Sequence, residues 1–366
     1  MMKKVYTMVL VCLFSLVVLF PAAAEEFKYK DEYRLACNLS ELMPQGKAVT
    51  RFIQLVKDGT KGKLNIKPYW MGQLYAGKAT NEMLIMRQNV ADFSASSLLN
   101  WAPQFPEVNL FLLPWFISER PDIYKAVDAI EAGKAGKMLE AKVESMGLKV
   151  LGWGEQGVRE VTNKIRPIRT PDDLKDLKIR VVGSPILLDI FKALGANPTS
   201  MAWSEVMLAL QQGAIDGQEN PYSIFIPNKT YEFQKYMTEW GYVVDPLFFT
   251  VHGGVWKGFP DDVKKIIMDA AQECGLYNKA LARLGLDDGS SEKWLKEHNL
   301  YPAEMKDINV NPRKFVRDNG VEVIVLSQEE RVAFRKKMDP VYEKWINVIG
   351  KDLVAAAEED MKNAKY

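Results

Sequence analysis

The sequence predicts an α/β protein built as two lobes. Strand-like and helix-like segments alternate along the chain, and this alternation implies a mostly parallel sheet flanked by helices. The 366 residues exceed what one simple core usually holds, and hydrophobic residues make up 48%, an ordinary share for a globular protein. No internal repeat or low-complexity linker separates the halves, so we expect the chain to pass between the lobes more than once.

Residues 1–24 have the layout of a secretory signal peptide. Lys3 and Lys4 precede an apolar run from Val9 to Phe20, and small residues suitable for cleavage follow. No later segment is long and apolar enough to cross a bilayer, so we expect a mature protein that is soluble and exported. Removing the leader leaves 46 basic against 47 acidic residues, a balance that argues against a nucleic-acid partner.

The first half of the mature chain alternates strand and helix. In residues 46–58, Val49, Phe52, Ile53 and Val56 lie on one helical face. The predicted strands of this half are 33–37, 64–70, 90–96 and 148–155, and its predicted helices are 46–58, 79–89 and 119–146.

The second half continues the alternation. Strands are expected at 178–183 and 244–256, and helices at 185–195 and 261–285. Ser204 is the expected N-cap of a further helix that ends at Gly213. Another helical stretch, interrupted at Pro227, is expected to run to about Trp240. Ser327 and Glu330 form a capping box for a last long helix, which Pro340 is expected to kink.

Gly152, Gly154 and Gly157 have the G-x-G-x-x-G spacing of a dinucleotide-binding turn. A nucleotide site needs a helix immediately after this turn, but VREVTN is rich in β-branched residues and has no helical stripe. Arg180 also occupies the position at which a dinucleotide-binding fold would have an acidic residue that binds the ribose hydroxyl group. We therefore predict no nucleotide cofactor and interpret the glycines as a bend between two bodies.

Histidine and cysteine, the residues that most often bind metals or act as nucleophiles, are scarce in this chain. The histidines, His252 and His298, have no metal-ligand spacing with each other, so no metal and no other cofactor is predicted. Cys37 and Cys274 remain after cleavage; they could pair in an oxidising compartment or stay as two buried thiols.

Two arginines are candidates for binding an acid. Arg180 alternates with Ile179 and Val181 in the strand KIRVVG, so it faces the opposite side from them, and its guanidinium could hold a carboxylate in two-point contact. A surface salt bridge to Asp172, Asp173 or Asp176 is the alternative. Arg159, directly after the glycine stretch, is the second candidate.

Other polar and aromatic groups have two interpretations each. Asn220, in a turn before Pro221, could bind a ligand or cap a helix. Trp203 could be a core anchor or a cavity wall, and SASS at 94–97 could supply hydroxyls or form a turn.

Five stretches together carry a resemblance. They are YWMGQLYAG (69–77), FPEVNLFLLPWF (105–116), GWGEQGVREVTNKIRPIRTPDDLKDLKIRV (152–181), MAWSEV (201–206) and ALQQGAIDGQENP (209–221). In this order they resemble the solute-binding receptors of tripartite ATP-independent periplasmic (TRAP) transporters, of the four-carbon-dicarboxylate-binding type. The resemblance covers essentially the whole mature chain.

The resemblance implies a two-lobed, periplasmic-binding-protein-like α/β fold of type II-like character, with a long helix crossing both lobes. The expected lobes are listed by residue as follows: lobe 1 comprises 25–157 and 246–285, and lobe 2 comprises 158–245 and 286–366.

The resemblance also implies ligand-binding roles. Arg180 would be the main carboxylate clamp and Arg159 a second acid contact. Asn220 would complete the polar set, Trp203 would line the pocket, and Asn38 would contact ligand.

Departures from the family pattern concern the ligand. Ser97 stands where sialic-acid-binding members carry an acidic group, and TEWGYVVD (238–245) replaces a more usual T-G-H pattern, placing Trp240 and Tyr242 near the cleft. With Trp203, Trp240 and Trp101 we expect a broad aromatic pocket, suited to a monocarboxylate or 2-oxo acid with an apolar or aromatic tail.

The function implied is capture of an organic acid between closing lobes and its delivery to a TRAP membrane permease, without catalysis and by a monomer. Two alternatives stay open at this point. One is a binding protein that feeds a sensor or chemoreceptor; the other is a periplasmic enzyme using Asp216 or Glu219 as its acid–base group.

Overall fold

The computed structural model describes residues 27–302 and 311–366, so the expected signal peptide at 1–24 lies outside the described residues. Over these ranges the fold is a mixed sheet covered by helices. Its strands are β1 (Tyr33–Cys37), β2 (Ile66–Tyr69), β3 (Phe93–Ser97), β4 (Leu148–Asn163), β5 (Lys178–Val181), β6 (Asn197–Ser200), β7 (Gly217–Asn220), β8 (Tyr236–His252) and β9 (Glu322–Val325).

Two long strands form the centre of the sheet. The strand order is β2-β1-β3-β8-β4-β7-β5-β6, and β9 pairs with β8. β4 and β8 have 16 and 17 residues and run antiparallel along each other. β3 joins the last part of β8, whereas β9 joins its first part and β7 joins the last part of β4. The short strands therefore lie in two groups, which pair with opposite ends of the long strands β4 and β8.

The pairing is parallel at the two ends of the sheet and antiparallel at its centre. β1 pairs in parallel with β2 and β3, as β5 does with β6 and β7. The contacts of β8 with β3 and β4, and of β4 with β7, are antiparallel. The mostly parallel arrangement expected from the alternating sequence pattern thus holds for the outer strands but not for the mixed centre, and the edge strand β6 was not predicted.

The helices cover both faces of the sheet. They are α1 (Pro44–Gly59), α2 (Glu82–Arg87), α3 (Leu98–Trp101), α4 (Ile123–Ala132), α5 (Lys134–Ser145), α6 (Pro185–Ala193), α7 (Trp203–Gln212), α8 (Tyr222–Phe225), α9 (Gly253–Gly258), α10 (Asp261–Arg283), α11 (Ser290–Glu297), α12 (Pro312–Asp318), α13 (Gln328–Arg335), α14 (Asp339–Ile349) and α15 (Lys351–Lys362). None of them, among the residues described, has both the length and the apolar character that a membrane span requires.

The glycines of β4 let α10 pack closely against the strand. A Cβ atom on Gly152 would lie 3.0 Å from the Ala271 carbonyl oxygen, and one on Gly154 would overlap the Asn278 side chain. Asn278 uses that position to accept a hydrogen bond from the Glu155 N–H, at 2.6 Å. Of the three glycines only Gly157 has a left-handed backbone, with φ +119°. The bend interpretation therefore applies to Gly157, while the other two are required by helix packing.

The helix expected to continue to about Trp240 is wrong. α8 ends at Phe225, and β8 begins at Tyr236. Residues 237–240 and 242–245 are buried, so side chains on both faces of this part of β8 are covered, and such a strand shows no simple alternation of apolar and polar residues. Pro246, which cannot donate to the ladder, pairs with Glu155 beside a register shift.

Helix boundaries differ from the expectations at three places. The 119–146 helix is two helices, because Asp360 accepts hydrogen bonds from the backbone N–H groups of Lys134 and Ala135 at the break. α7 begins at Trp203, so Ser204 is not its N-cap. The last helix is divided into α13, α14 and α15, although its predicted capping box at Ser327 and Glu330 is present.

Cys37 and Cys274 are buried free thiols, which resolves the open alternative in favour of separate burial. Cys37 lies at the end of β1 and Cys274 lies in α10. Burial raises the pKa of each thiol to about 12, so neither is a reactive thiolate at neutral pH.

Candidate functional site

A cavity of about 340 Å³ lies where the ends of several strands meet the start of α7. It is a small site, near the lower end of the range for small-molecule pockets. Its wall is formed by Asn38, Leu39, Ala76, Lys78, Ala79, Thr80, Ser97, Asn100, Gln156, Arg159, Arg180, Val182, Gly183, Ser200, Met201, Ala202, Trp203, Ser204, Glu205, Asn220, Ile224 and Asp245.

Arg180 is a buried cation without an acidic partner in contact. It lies on β5 with 3% of its surface exposed, and its Nε and Nη2 donate to the Met201 carbonyl oxygen at 3.0 and 2.7 Å. Throughout residues 27–302 and 311–366 no carboxylate forms a salt bridge with it, so the surface salt bridge considered from the sequence is wrong. Desolvation lowers the pKa of Arg180 to about 10.

Arg159 lines the same cavity but is held by protein groups. Its guanidinium forms a two-point ion pair with Glu219, including Nη2 to Oε1 at 2.8 Å, and Nη1 donates to Asp245 Oδ2 at 2.7 Å. Nη2 also donates to Asn220 Oδ1 at 2.9 Å. These carboxylates raise the pKa of Arg159 despite its burial, so the guanidinium is firmly charged. Most of its N–H groups are already occupied.

Asp245 and Ser97 form the neighbouring part of the wall. Ser97 Oγ donates to Asp245 Oδ1, while the other carboxylate oxygen is bound by Arg159. Burial raises the pKa of Asp245 to about 6, and the charge of Arg159 opposes that rise. The Ser97 hydroxyl thus donates its proton to Asp245, and its oxygen accepts a hydrogen bond from the Leu99 N–H at 3.3 Å.

Asn220 and Asn38 both lie in the wall. GQEN is the strand β7 itself rather than a turn, and Asn220 is its last residue. The N-cap of α8 is Pro221, so Asn220 is not a helix cap. Asn38 Oδ1 accepts a hydrogen bond from Gln45 Nε2 at 3.3 Å.

Trp203 is the aromatic wall of the cavity, and its ring centroid lies 5.6 Å from the guanidinium carbon of Arg180. Trp240 does not line the cavity. It is fully buried in an aromatic cluster with Trp115, Tyr242 and other rings, and Trp101 is likewise a core residue. The prediction that Trp101 and Trp240 contribute to a broad aromatic pocket is therefore wrong, because α3 and β8 place these side chains in the core.

Comparison with known proteins identifies the protein's relatives. Residues 35–285 match the family described as "Bacterial extracellular solute-binding protein, family 7". The chain belongs to this family. It is 30% identical to the C4-dicarboxylate-binding periplasmic protein DctP of Rhodobacter capsulatus over 345 residues, 94% of each chain. It is 33% identical to the 2,3-diketo-L-gulonate-binding periplasmic protein YiaO of Escherichia coli over 248 residues, 68% of this chain and 74% of that one.

A solved structure of a TRAP periplasmic solute-binding protein from Ralstonia eutropha is similar over 91% of this chain and 99% of that one, with a TM-score of 0.80 and 42% identity. It contains bound (S)-2-hydroxy-2-methyl-3-oxobutanoate. The protein is thus a TRAP solute-binding protein with a two-lobed fold, and such proteins bind small organic acids and work with a membrane permease. Because the family consists of binding proteins, the enzyme alternative is set aside.

Several polar and charged residues of this solute-binding protein line the cavity but were not candidates from the sequence. They include Lys78, Thr80, Asn100, Gln156, Glu205 and Asp245. Gln156 lies inside the glycine stretch, and Asn100 follows SASS by three residues, so both were adjacent to segments already singled out. The signal that would have found them is proximity to those segments.

The charges around the cavity are nearly balanced. Lys78, Arg159 and Arg180 are the basic wall residues, and Glu205 and Asp245 are the acidic ones. Glu219, directly behind the wall, is paired with Arg159. With Asp245 ionised, the net charge of these six groups is zero. The occupied site would therefore have a net charge of −1 with a bound monoanion and −2 with a bound dianion.

A buried carboxyl group lies behind β3 of the solute-binding protein. Glu82 is fully buried, and its Oε2 accepts a hydrogen bond from Ser96 Oγ. Its Oε1 has no partner among the described residues. Desolvation raises the pKa of Glu82 to about 8, so this carboxyl is protonated at neutral pH.

We expect the Glu82→Gln variant to be more stable than the wild type at high pH. A carboxyl whose folded pKa lies above its unfolded value stabilises the fold below the unfolded pKa, and that contribution is lost as pH rises through about 8. The variant should therefore exceed the wild type in free energy of unfolding by about 2–4 kcal/mol at pH 9 and match it more closely near pH 6. Urea denaturation between pH 5 and pH 9 measures this, and parallel pH profiles of the two proteins would refute it.

Proposed function

We propose that this receptor captures a small monocarboxylate carrying oxygen on carbon 2 or 3, binds its carboxylate at Arg180, and presents the closed complex to a TRAP permease. The observation that carries the proposal is the burial of an Arg180 guanidinium whose one hydrogen-bond acceptor among the described residues is the Met201 carbonyl oxygen. A buried cation without an acid partner is costly, and an incoming carboxylate removes that cost.

The remaining donors of Arg180 suit a carboxylate. Nη1 makes no hydrogen bond to any described residue, and the guanidinium is a planar fork that matches two carboxylate oxygens. Trp203 packs beside the guanidinium and restricts its position. Arg159, bound by Glu219 and Asp245, would make at most a secondary contact with the acid.

The charge balance favours a monocarboxylate over a dicarboxylate, and the small cavity favours a compact acid of either class. A second carboxylate would have to be neutralised by Lys78, which is exposed, against nearby Glu205 and Asp245. The 2-oxo acids expected from the sequence remain candidates, and the acid bound by the Ralstonia eutropha protein has both a hydroxyl and an oxo group. An aromatic tail is not proposed, because Trp101 and Trp240 lie in the core.

Closure of the two lobes would bury the acid and strengthen its ion pair by excluding water. We propose lobe 1 as residues 25–157 with 246–285 and lobe 2 as 158–245 with 286–366, because β4 and β8 change their outer partners near those positions. Export to the periplasm through a cleaved signal peptide, a monomeric state and the absence of a nucleic-acid partner are parts of the same proposal.

Calorimetry with a panel of acids tests the proposed ligand class. We expect 2-hydroxy-3-methylbutanoate and 3-methyl-2-oxobutanoate to bind at least about tenfold more tightly than succinate, because the site compensates one negative charge better than two. Mass spectrometry of acid released from freshly purified protein provides an independent identification. Succinate binding more tightly than every monocarboxylate would overturn the proposal.

A further inference from the structure

We propose that Gln156, held in place by Gln45, and Asn100 form a hydroxyl-selecting half of the cavity, so that acids with a hydroxyl group bind more tightly than analogues that lack one. This inference rests on the proposed capture of a carboxylate at Arg180 and adds the chemistry of the ligand's other half. It is carried by two buried polar atoms of cavity-lining residues, Gln156 Oε1 and Asn100 Nδ2, that have no hydrogen-bond partner among the described residues.

Gln45 fixes the orientation of the Gln156 amide. Gln45 is fully buried in the first turn of α1, and its Nε2 donates to the Ala95 carbonyl oxygen at 2.5 Å and to Asn38 Oδ1. Because a backbone carbonyl can only accept, the Gln45 nitrogen must face it. Gln45 Oε1 therefore faces Gln156 and accepts a hydrogen bond from Gln156 Nε2. Gln156 is left with its oxygen available.

The available Gln156 oxygen needs a donor. Gln156 is 3% exposed and lines the cavity, yet its Oε1 is buried and has no hydrogen-bond partner within residues 27–302 and 311–366. A buried acceptor left without a donor destabilises the state in which it occurs. Carboxylate, oxo and ether oxygens cannot supply a proton, whereas a ligand hydroxyl can.

Asn100 supplies the complementary donor. It is 4% exposed in α3 and lines the cavity, and its Nδ2 is buried without a partner in the described part of the chain. The neighbouring Ser97 proton is already given to Asp245, so Ser97 cannot take over the role. A hydroxylated ligand can donate to Gln156 Oε1 and accept from Asn100 Nδ2, and a purely aliphatic tail can do neither.

A pair of acids with one carbon skeleton isolates this effect. The probes are 2,3-dihydroxy-3-methylbutanoate and 3-methylbutanoate, which differ in two hydroxyl groups and share the carboxylate. A site that must hydrogen-bond a hydroxyl rejects the analogue that lacks it, so we expect the wild type to prefer the dihydroxy acid by about a hundredfold or more. Competition calorimetry against the tighter acid measures both affinities.

Substitutions that remove the two amides should lower this preference. We expect Gln156→Met and Asn100→Leu each to reduce the affinity ratio by about tenfold or more, mainly through weaker binding of the dihydroxy acid. Gln45→Met should lower the ratio as well, because Gln45 is a positioning residue that holds the Gln156 amide. Asn100→Ser is a milder second variant for the case that Asn100→Leu does not fold.

Gln234→Met is a matched control. Gln234 is also a buried glutamine whose Oε1 has no partner among the described residues, but it does not line the cavity. Its substitution should leave the affinity ratio unchanged. A loss of folding alone would lower the apparent affinities for both acids by the same factor in any variant. The proposal instead requires the ratio of the two affinities to change in the Gln156, Asn100 and Gln45 variants and to stay constant in Gln234→Met.

The outcomes separate this inference from the proposed function. If both acids bind the wild type with similar affinity, or if folded Gln156 and Asn100 variants keep the wild-type ratio, the hydroxyl-selecting role is overturned while carboxylate capture stands. If neither acid binds the wild type, and binding of the co-purified ligand does not depend on Arg180, the proposed function itself fails.

Discussion

Replacing Arg180 with methionine should abolish acid binding and, at the same time, stabilise the ligand-free protein. The guanidinium is nearly fully buried and, within residues 27–302 and 311–366, donates to no group other than the Met201 carbonyl oxygen, so in the absence of an acid its charge is poorly compensated. Removing it should raise the free energy of unfolding by about 1–3 kcal/mol. Loss of the charged partner should weaken acid binding by about 2–5 kcal/mol. Thermal melts with and without acid measure both effects.

Arg166→Met is the control for this result. The side chain of Arg166 likewise donates to backbone carbonyl oxygens, those of Asp173 and Lys175, but it lies outside the cavity. This variant should keep the full ligand-induced rise in melting temperature. An Arg180→Met protein that binds acids with near wild-type affinity would disprove the clamp role of Arg180.

Replacing Arg159 with methionine should have the opposite effect on stability. Arg159 is paired with Glu219 and Asp245, each nearly inaccessible to solvent, and its removal leaves two buried carboxylates without their cation. Breaking such a pair from one side typically destabilises a protein by about 3–5 kcal/mol. We expect this loss in urea denaturation without any ligand, which identifies Arg159 first as a structural residue.

A triple variant distinguishes this role from direct ligand contact. Adding Glu219→Gln and Asp245→Asn to Arg159→Met removes the stranded charges and should restore part of the lost stability. An Arg159→Met protein with wild-type stability but no acid binding would instead assign Arg159 to the ligand.

The sequence was sufficient to predict Arg180 as a candidate because a single arginine between apolar strand residues is a local pattern. It was also sufficient for β1, α1, β5, α6 and α10, whose periodicity and terminating glycines are local as well. Whether Arg180 had an acidic neighbour could not be predicted, because that depends on strands distant in the sequence. The candidate aspartates at 172, 173 and 176 were close in the sequence but do not pair with it.

The errors have a common physical origin in the centre of the sheet. The first half of β8 is buried on both faces, so its sequence lacks the alternation that reveals a half-exposed strand. For the same reason Trp240 could not be assigned to a core rather than a cavity. Gly152 and Gly154 have the spacing of a phosphate-binding turn, yet their role is set by α10, more than a hundred residues later in the chain. The role of Gln45 could not be predicted from the sequence, because Gln45 does not line the cavity and supports it through its hydrogen bond with Gln156.

The continuity of β4 and β8 has a consequence for how such receptors diversify. With the proposed boundaries, each lobe is assembled from two separate stretches of sequence, because β4 and β8 run along each other through the centre of the sheet. Recombination at a single crossover point would then exchange parts of both lobes rather than one intact lobe. New cargo preferences are expected to arise by substitutions at individual wall positions, on a scaffold that is inherited as a unit.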